Sequence, residues 1–115
     1  MGLNFLDFFD KDLVHEIVKK YDIEINCVKV PAEGEIQRIK IKNNIIAFEQ
    51  AVGGEIQILP FMYPALMICN KNQESLKSNK NYYAIKGDFL LVGSNAIDFI
   101  DLTEKQMEQL EEVFA

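Results

Sequence analysis

The sequence predicts an α+β domain: a mostly antiparallel sheet of five to seven strands with about three helices. Three observations predict it. Short apolar runs, several alternating with polar residues, recur from Ile23 to Ile100 between turn residues. Helical periodicity is confined to three stretches, 3–22, 44–52 and 103–114. The turns between successive strands are short, which favours antiparallel neighbours.

Residues 1–22 read as an N-terminal amphipathic helix extension, with the helical signal in 3–22, LNFLDFFDKDLVHEIVKKYD, and residues 23–115 as a single α+β domain behind it. Phe9, Leu13, Ile17 and Tyr21 recur at spacing four, with Leu6, Val14 and Val18 beside them. Asp10 or Asp12 suits a cap near Lys11, and Lys19 and Lys20 suit the C-terminal end. A hairpin follows, with strands at 23–30 and 35–42. Its connection, PAEG, contributes Pro31 and Gly34 to a turn. A second helix is expected from about Asn44 to Val52, capped by Asn43 or Asn44, with Ile45, Phe48 and Val52 on one face. Gly53 and Gly54 stop it.

EIQIL at 55–59 and ALMIC at 65–69 read as strands, and Pro60 and Pro64 bracket their link. Residues 70–81, NKNQESLKSNKN, read as the longest loop. Strand character returns over 82–92, in YYAI and then in DFLLV after Gly87. Gly93 to Asn95 read as a turn and IDFI at 97–100 as a short strand. Thr103 with Gln106 three residues on is the signature of a capping box. Met107, Leu110 and Phe114 then form the apolar stripe of a last helix.

At 115 residues and 49% hydrophobic, the chain suffices for one modest core. No apolar run approaches the roughly 20 residues of a membrane helix. The first 25 residues lack the basic start and clean apolar stretch of a signal peptide. A cytoplasmic protein with no membrane partner is expected. Cys27 and Cys69 lie in strand-like apolar surroundings and read as buried thiols. Two cysteines and one histidine are too few for a standard zinc site.

The net charge of −6 is unevenly spread. Residues 1–22 carry five acids against three lysines, and residues 23–100 carry eight charges of each sign. Residues 101–115 carry five acids against Lys105. No direct binding to nucleic acid is expected from such a balance. An acidic end suits a basic protein surface, and the plain alternative is that these acids keep the domain soluble.

No catalytic residue, metal ligand set or cofactor is predicted. His15 lies on the polar side of the first helix without a partner to make it a base. Asp98, Asp101 and Glu104 lack the dense alternation of a calcium loop. Gly53-Gly54 follows a helix, whereas phosphate-binding glycines precede one.

Two recognition surfaces remain. For a protein partner the candidates are Phe5, Phe8 and Phe9, with Glu104, Glu108, Glu111 and Glu112 on the last helix. The aromatic segment can anchor in a partner groove or make a homodimer; the alternative is docking on its own sheet. For an anionic small ligand the candidates are Asn70, Lys77, Asn79, Lys80 and Tyr82 in and beside the 70–83 loop, where lysines gather against Glu74 alone.

From about Asn26 to Phe114 the chain resembles a small domain family of unknown function from Gram-positive bacteria of the low-GC type, their phages and conjugative elements. The resemblance rests on CVKVPAEGEIQRIKI, AFEQAVGGEIQIL, ALMICNKN, KGDFLLVG and the Leu102, Thr103, Gln106 helix start, in that order. A Leu-Pro-x-Asn-Arg segment of the family is matched by Leu76, Lys77, Ser78, Asn79 and Lys80, so its proline and arginine are lysines here. Lysine lacks the bidentate fork of arginine, which alters whatever that loop does in the family. The setting implied by the resemblance, together with size, acidic ends and the lack of a site, leads to the functional expectation. It is a non-catalytic accessory protein of a phage or mobile element that binds and inhibits a host protein with a basic surface. A defence nuclease is the expected target class, in the manner of anti-CRISPR or anti-restriction proteins. The alternative is a small-ligand binder sequestering an anionic nucleotide or signal at the 70–83 loop.

Overall fold

The computed structural model describes residues 23–95 and 98–115. The expected N-terminal helix, with Phe5, Phe8, Phe9 and His15, lies outside the described residues. Within them the chain forms β1 (Glu24–Val30), β2 (Gln37–Lys42), α1 (Ile45–Val52), β3 (Ile56–Pro60), β4 (Leu66–Asn70), β5 (Phe89–Ser94), β6 (Phe99–Ile100) and α2 (Glu104–Val113). A single turn of 3₁₀ helix spans Gln73–Ser75. The α+β class is as expected, with two α-helices among the described residues rather than about three.

The sheet has six strands in the order β2-β1-β5-β4-β3, with β6 against β5. Every neighbouring pair is antiparallel. The β1–β2 hairpin pairs Val28 with Arg38 and Glu24 with Lys42, as the turn at Pro31–Gly34 demands. The β3–β4 hairpin pairs Ile56 with Asn70 and Pro60 with Leu66.

Both faces of the sheet are covered, and each has its own core. On one face Val28, Val30, Met67, Cys69, Phe89 and Leu91 meet Met107 and Leu110 of α2. On the other, Cys27, Ile68, Leu90 and Val92 meet Phe48 and Val52 of α1. This explains β5, whose Phe89, Leu90, Leu91 and Val92 are all fully buried. A central strand between two layers of helix has no wet face, so its sequence is a continuous apolar run. Each such side chain contributes about 1.5–3 kcal/mol by leaving water. Cys27 and Cys69 are free and buried, one on each face. Burial pushes the Cys27 thiol up to about 12. It raises that of Cys69 too, against a smaller opposing effect of the Gln73 side chain. Both therefore stay protonated and inert.

The local signals act as read. The Asn44 side chain accepts from the Ala47 N–H at 2.8 Å and caps α1. Gly53 ends that helix at φ 81°, a conformation a side chain would strain. Thr103 and Gln106 make the capping box of α2 in both directions, at 3.1 and 2.8 Å. Asn43 does different work: its Nδ2 donates to the Phe99 carbonyl at 3.1 Å and ties β6 to the start of α1.

Two segments depart from expectation. Tyr82–Ile85 are not a strand but turns, and β5 begins only at Phe89. The cause is Asn79, whose side-chain oxygen accepts from the Tyr82 N–H at 3.0 Å and folds the chain back on itself. The turn expected at Gly93 to Asn95 starts later, because β5 continues through Ser94 to pair with β6. At Gly93 an added Cβ would lie 2.8 Å from the Asp101 carbonyl oxygen, so the close approach of β6 requires glycine there.

Candidate functional site

Four acids distinguish α2, and the structure divides them into two pairs. Glu104 and Glu111 are seven residues apart, two turns of helix, and so share one side of it. Arg38, projecting from β2, holds both. Its Nη1 lies 2.6 Å from Glu104 Oε1 and its Nη2 2.6 Å from Glu111 Oε1. Its Nε donates to both Glu111 oxygens at 3.1 and 3.2 Å. The arginine's hydrogen bonds hold the Glu111 carboxyl below the usual carboxylate range, and the two acids raise the guanidinium in turn. The clamp pins α2 to the edge of the sheet. Glu108 and Glu112 are exposed and form no ion pair among the described residues. Val113 beside them is 44% exposed.

The 70–83 loop is built differently from the expected ligand site. Asn79 is completely buried. Its Nδ2 donates to the carbonyls of Val30 at 3.1 Å and Gly87 at 2.9 Å, while its oxygen also accepts from the Asn81 N–H at 2.8 Å. Asn70 is buried and donates to the Val52 carbonyl at 3.0 Å, joining β4 to the end of α1. Both amides therefore satisfy backbone groups that burial would otherwise strand, and neither faces outward. Tyr82 lies in an aromatic cluster, with ring centroids 5.8 Å from Phe61 and Phe89 and 6.0 Å from Phe114. It is half-buried there and packs on these rings. Its neighbour Tyr83 is 80% exposed.

The lysines of that loop also have company that the local sequence hides. Glu33, in the β1–β2 turn, lies 4.0 Å from Lys77 and 3.7 Å from Lys80. Asn81 donates to the carbonyls of Pro31 and Gly34 in the same turn, at 2.9 and 3.0 Å. The two loops thus form one structural unit.

A groove of about 440 Å³ lies between the start of β1 and β6, lined by Ile23, Ile25, Asn43, Asp98, Phe99 and Asp101 among others. Asp101 Oδ1 also accepts from the Asn26 N–H at 2.6 Å. Among the described residues no group of three His, Cys, Asp or Glu side chains is placed to hold a metal ion. None of their helices is long and apolar enough to cross a membrane.

A single antiparallel sheet with one helix on each face, tied by an arginine clamp and buried asparagines, defines a small α+β domain. The chain belongs to the family described as a domain of unknown function, DUF3846, whose model matches residues 25–115. No curated protein and no solved structure matches it.

Proposed function

We propose that this protein is a non-catalytic accessory protein of a phage or mobile element that binds and inhibits a host protein, a defence nuclease being the target class. The observation that carries the reading is the outer face of α2. Glu108 and Glu112 stand exposed there beside the exposed Val113, while Glu104 and Glu111 are held by Arg38. An acidic, structurally idle surface on a rigid helix suits a basic partner such as the nucleic-acid groove of a nuclease, where charge complementarity speeds encounter and selects the partner. The aromatic Phe5, Phe8 and Phe9 would add the apolar anchors that such an interface needs.

The experiment is a cell-based restriction assay, in which a host defence nuclease attacks an incoming plasmid. Expression of the wild-type chain should restore plasmid uptake, and the Glu108→Lys/Glu112→Lys double variant should not. Equal protection by the two proteins would remove α2 from the interface. Glu111 is left alone because reversing it would break the clamp as well.

A further inference from the structure

We infer that β3 is an open pairing edge, and that its occupant is the β3 of a second copy of this chain, giving a two-fold dimer with one continuous sheet. This goes beyond the proposed function and does not depend on it.

The two edges of the sheet are treated very differently. At one edge, β2 alternates Arg38, Lys40 and Lys42 with its apolar residues. Charged side chains of this kind are how an edge strand is kept from pairing with another chain. At the other edge, β3 reads Ile-Gln-Ile-Leu-Pro and carries no charge from Ile56 to Pro60. Its Ile58 is 46% exposed, and among the described residues no strand lies beyond it.

The backbone of β3 is in the right phase for pairing. Just before the strand, the Glu55 carbonyl accepts from the Lys71 N–H at 2.7 Å; just after it, the Phe61 N–H donates to the Ala65 carbonyl at 3.3 Å. Antiparallel pairs alternate, so residues 55, 57, 59 and 61 turn their backbone groups toward β4. Ile56 and Ile58 therefore turn theirs to the open side. An antiparallel copy centred on Gln57 sets Ile56 against the partner's Ile58, and Ile58 against the partner's Ile56. Those two pairs can exchange four backbone hydrogen bonds. Ile56 packs with the core beneath α1, and Ile58, two residues on, lies on the same face. Pairing would bring four isoleucines together there. Pro60, lacking an N–H, ends the zipper.

No like charges meet in this register. Glu55, the nearest acid, is already 3.8 Å from Lys71. Five-residue strands joined by their edges bury less than the roughly 1,200 Å² of a stable interface, so the dimer is a weak, concentration-dependent one.

The test uses the full chain. Sedimentation equilibrium should show the mass rising with concentration from 13.2 kDa toward twice that value. Ile58→Lys places a charge on a half-exposed edge position and should weaken the dimer at least tenfold while the domain stays folded. Gln57→Cys is the independent readout. The two copies of residue 57 form a non-hydrogen-bonded pair with Cα atoms about 4.5 Å apart, inside disulfide range. Oxidation should link this variant into a reducible dimer, and adding Ile58→Lys should suppress the link. Because Cys69 stands directly opposite residue 57 on β4, the variant is made together with Cys69→Ala, which leaves residue 57 no thiol to meet within its own chain; Cys27 is fully buried. A chain that stays at 13.2 kDa throughout overturns the inference, and so does a dimer that survives Ile58→Lys and leaves Gln57→Cys unlinked.

Discussion

The two helices cover opposite faces of one sheet and are held there by different physics. α1 is apolar but for Glu49 and Gln50, and its grip is Phe48 and Val52 driven into the core, with Phe48 5.5 Å edge-on to Phe99. Its polar ties are confined to its ends, at Asn44 and at the Val52 carbonyl held by Asn70. α2 also buries two residues, Met107 and Leu110, and is located in addition by a capping box and by the Arg38 clamp on its flank. A helix placed by apolar packing has its whole inner surface committed. A helix placed in part by ion pairs at its flank leaves an outer face free to change, and in α2 that face carries Glu108 and Glu112.

The largest break in this comparison comes from α1. Phe48→Ala should cost about 3–5 kcal/mol, read from denaturant unfolding, because the side chain is 2% exposed and its site cannot collapse. A loss below 1 kcal/mol would mean that α1 is not anchored by packing. Next comes the loop that shapes the α2 face. Asn79→Ala strands buried carbonyls of Val30 and Gly87, and should cost about 1–3 kcal/mol or more as both are left unpaired. If its stability is unchanged, water replaces the amide and the loop is not held as described.

Smaller effects sharpen the account of α2. Thr103→Ala removes one side of the capping box and should cost about 1 kcal/mol. The clamp should show itself through pH. Glu111 has a lowered folded-state pKa, so its pairing with Arg38 stabilises fully above the ordinary value of 4.5 and is lost as pH falls through the lowered value. Arg38→Met should therefore lower the melting temperature at pH 6, and the difference should shrink toward pH 3. A difference that persists undiminished at pH 3 would assign the effect of Arg38 to packing of its stem.

What the sequence made legible was local. The Thr103–Gln106 box, the Asn44 cap, the glycine stop at Gly53 and the proline-bracketed β3–β4 hairpin each depend on residues a few positions apart. The two hairpins follow from them, since short turns make neighbours antiparallel, whereas the pairing of β5 with β1 and β4 does not. What stayed hidden was long-range. Arg38 meets Glu111 across 73 positions and Asn79 meets Val30 across 49, and no periodicity announces either. The reading of Tyr82–Ile85 as a strand fails through a local contact that only the long-range burial of Asn79 fixes in place. Two tyrosines and an isoleucine favour a strand, but the buried Asn79 holds the Tyr82 N–H and overrides that preference. Lys77 and Lys80 likewise looked uncompensated because Glu33 arrives from another loop.

We propose that α2 separates acids that hold the fold, Glu104 and Glu111, from acids that recognise a partner, Glu108 and Glu112. The most direct test measures both properties on the same two variants. Glu108→Lys/Glu112→Lys should unfold within about 0.5 kcal/mol of wild type, as surface changes do, and should no longer inhibit the nuclease. Glu111→Lys should lower stability instead. A double variant that inhibits as wild type does would contradict the claim.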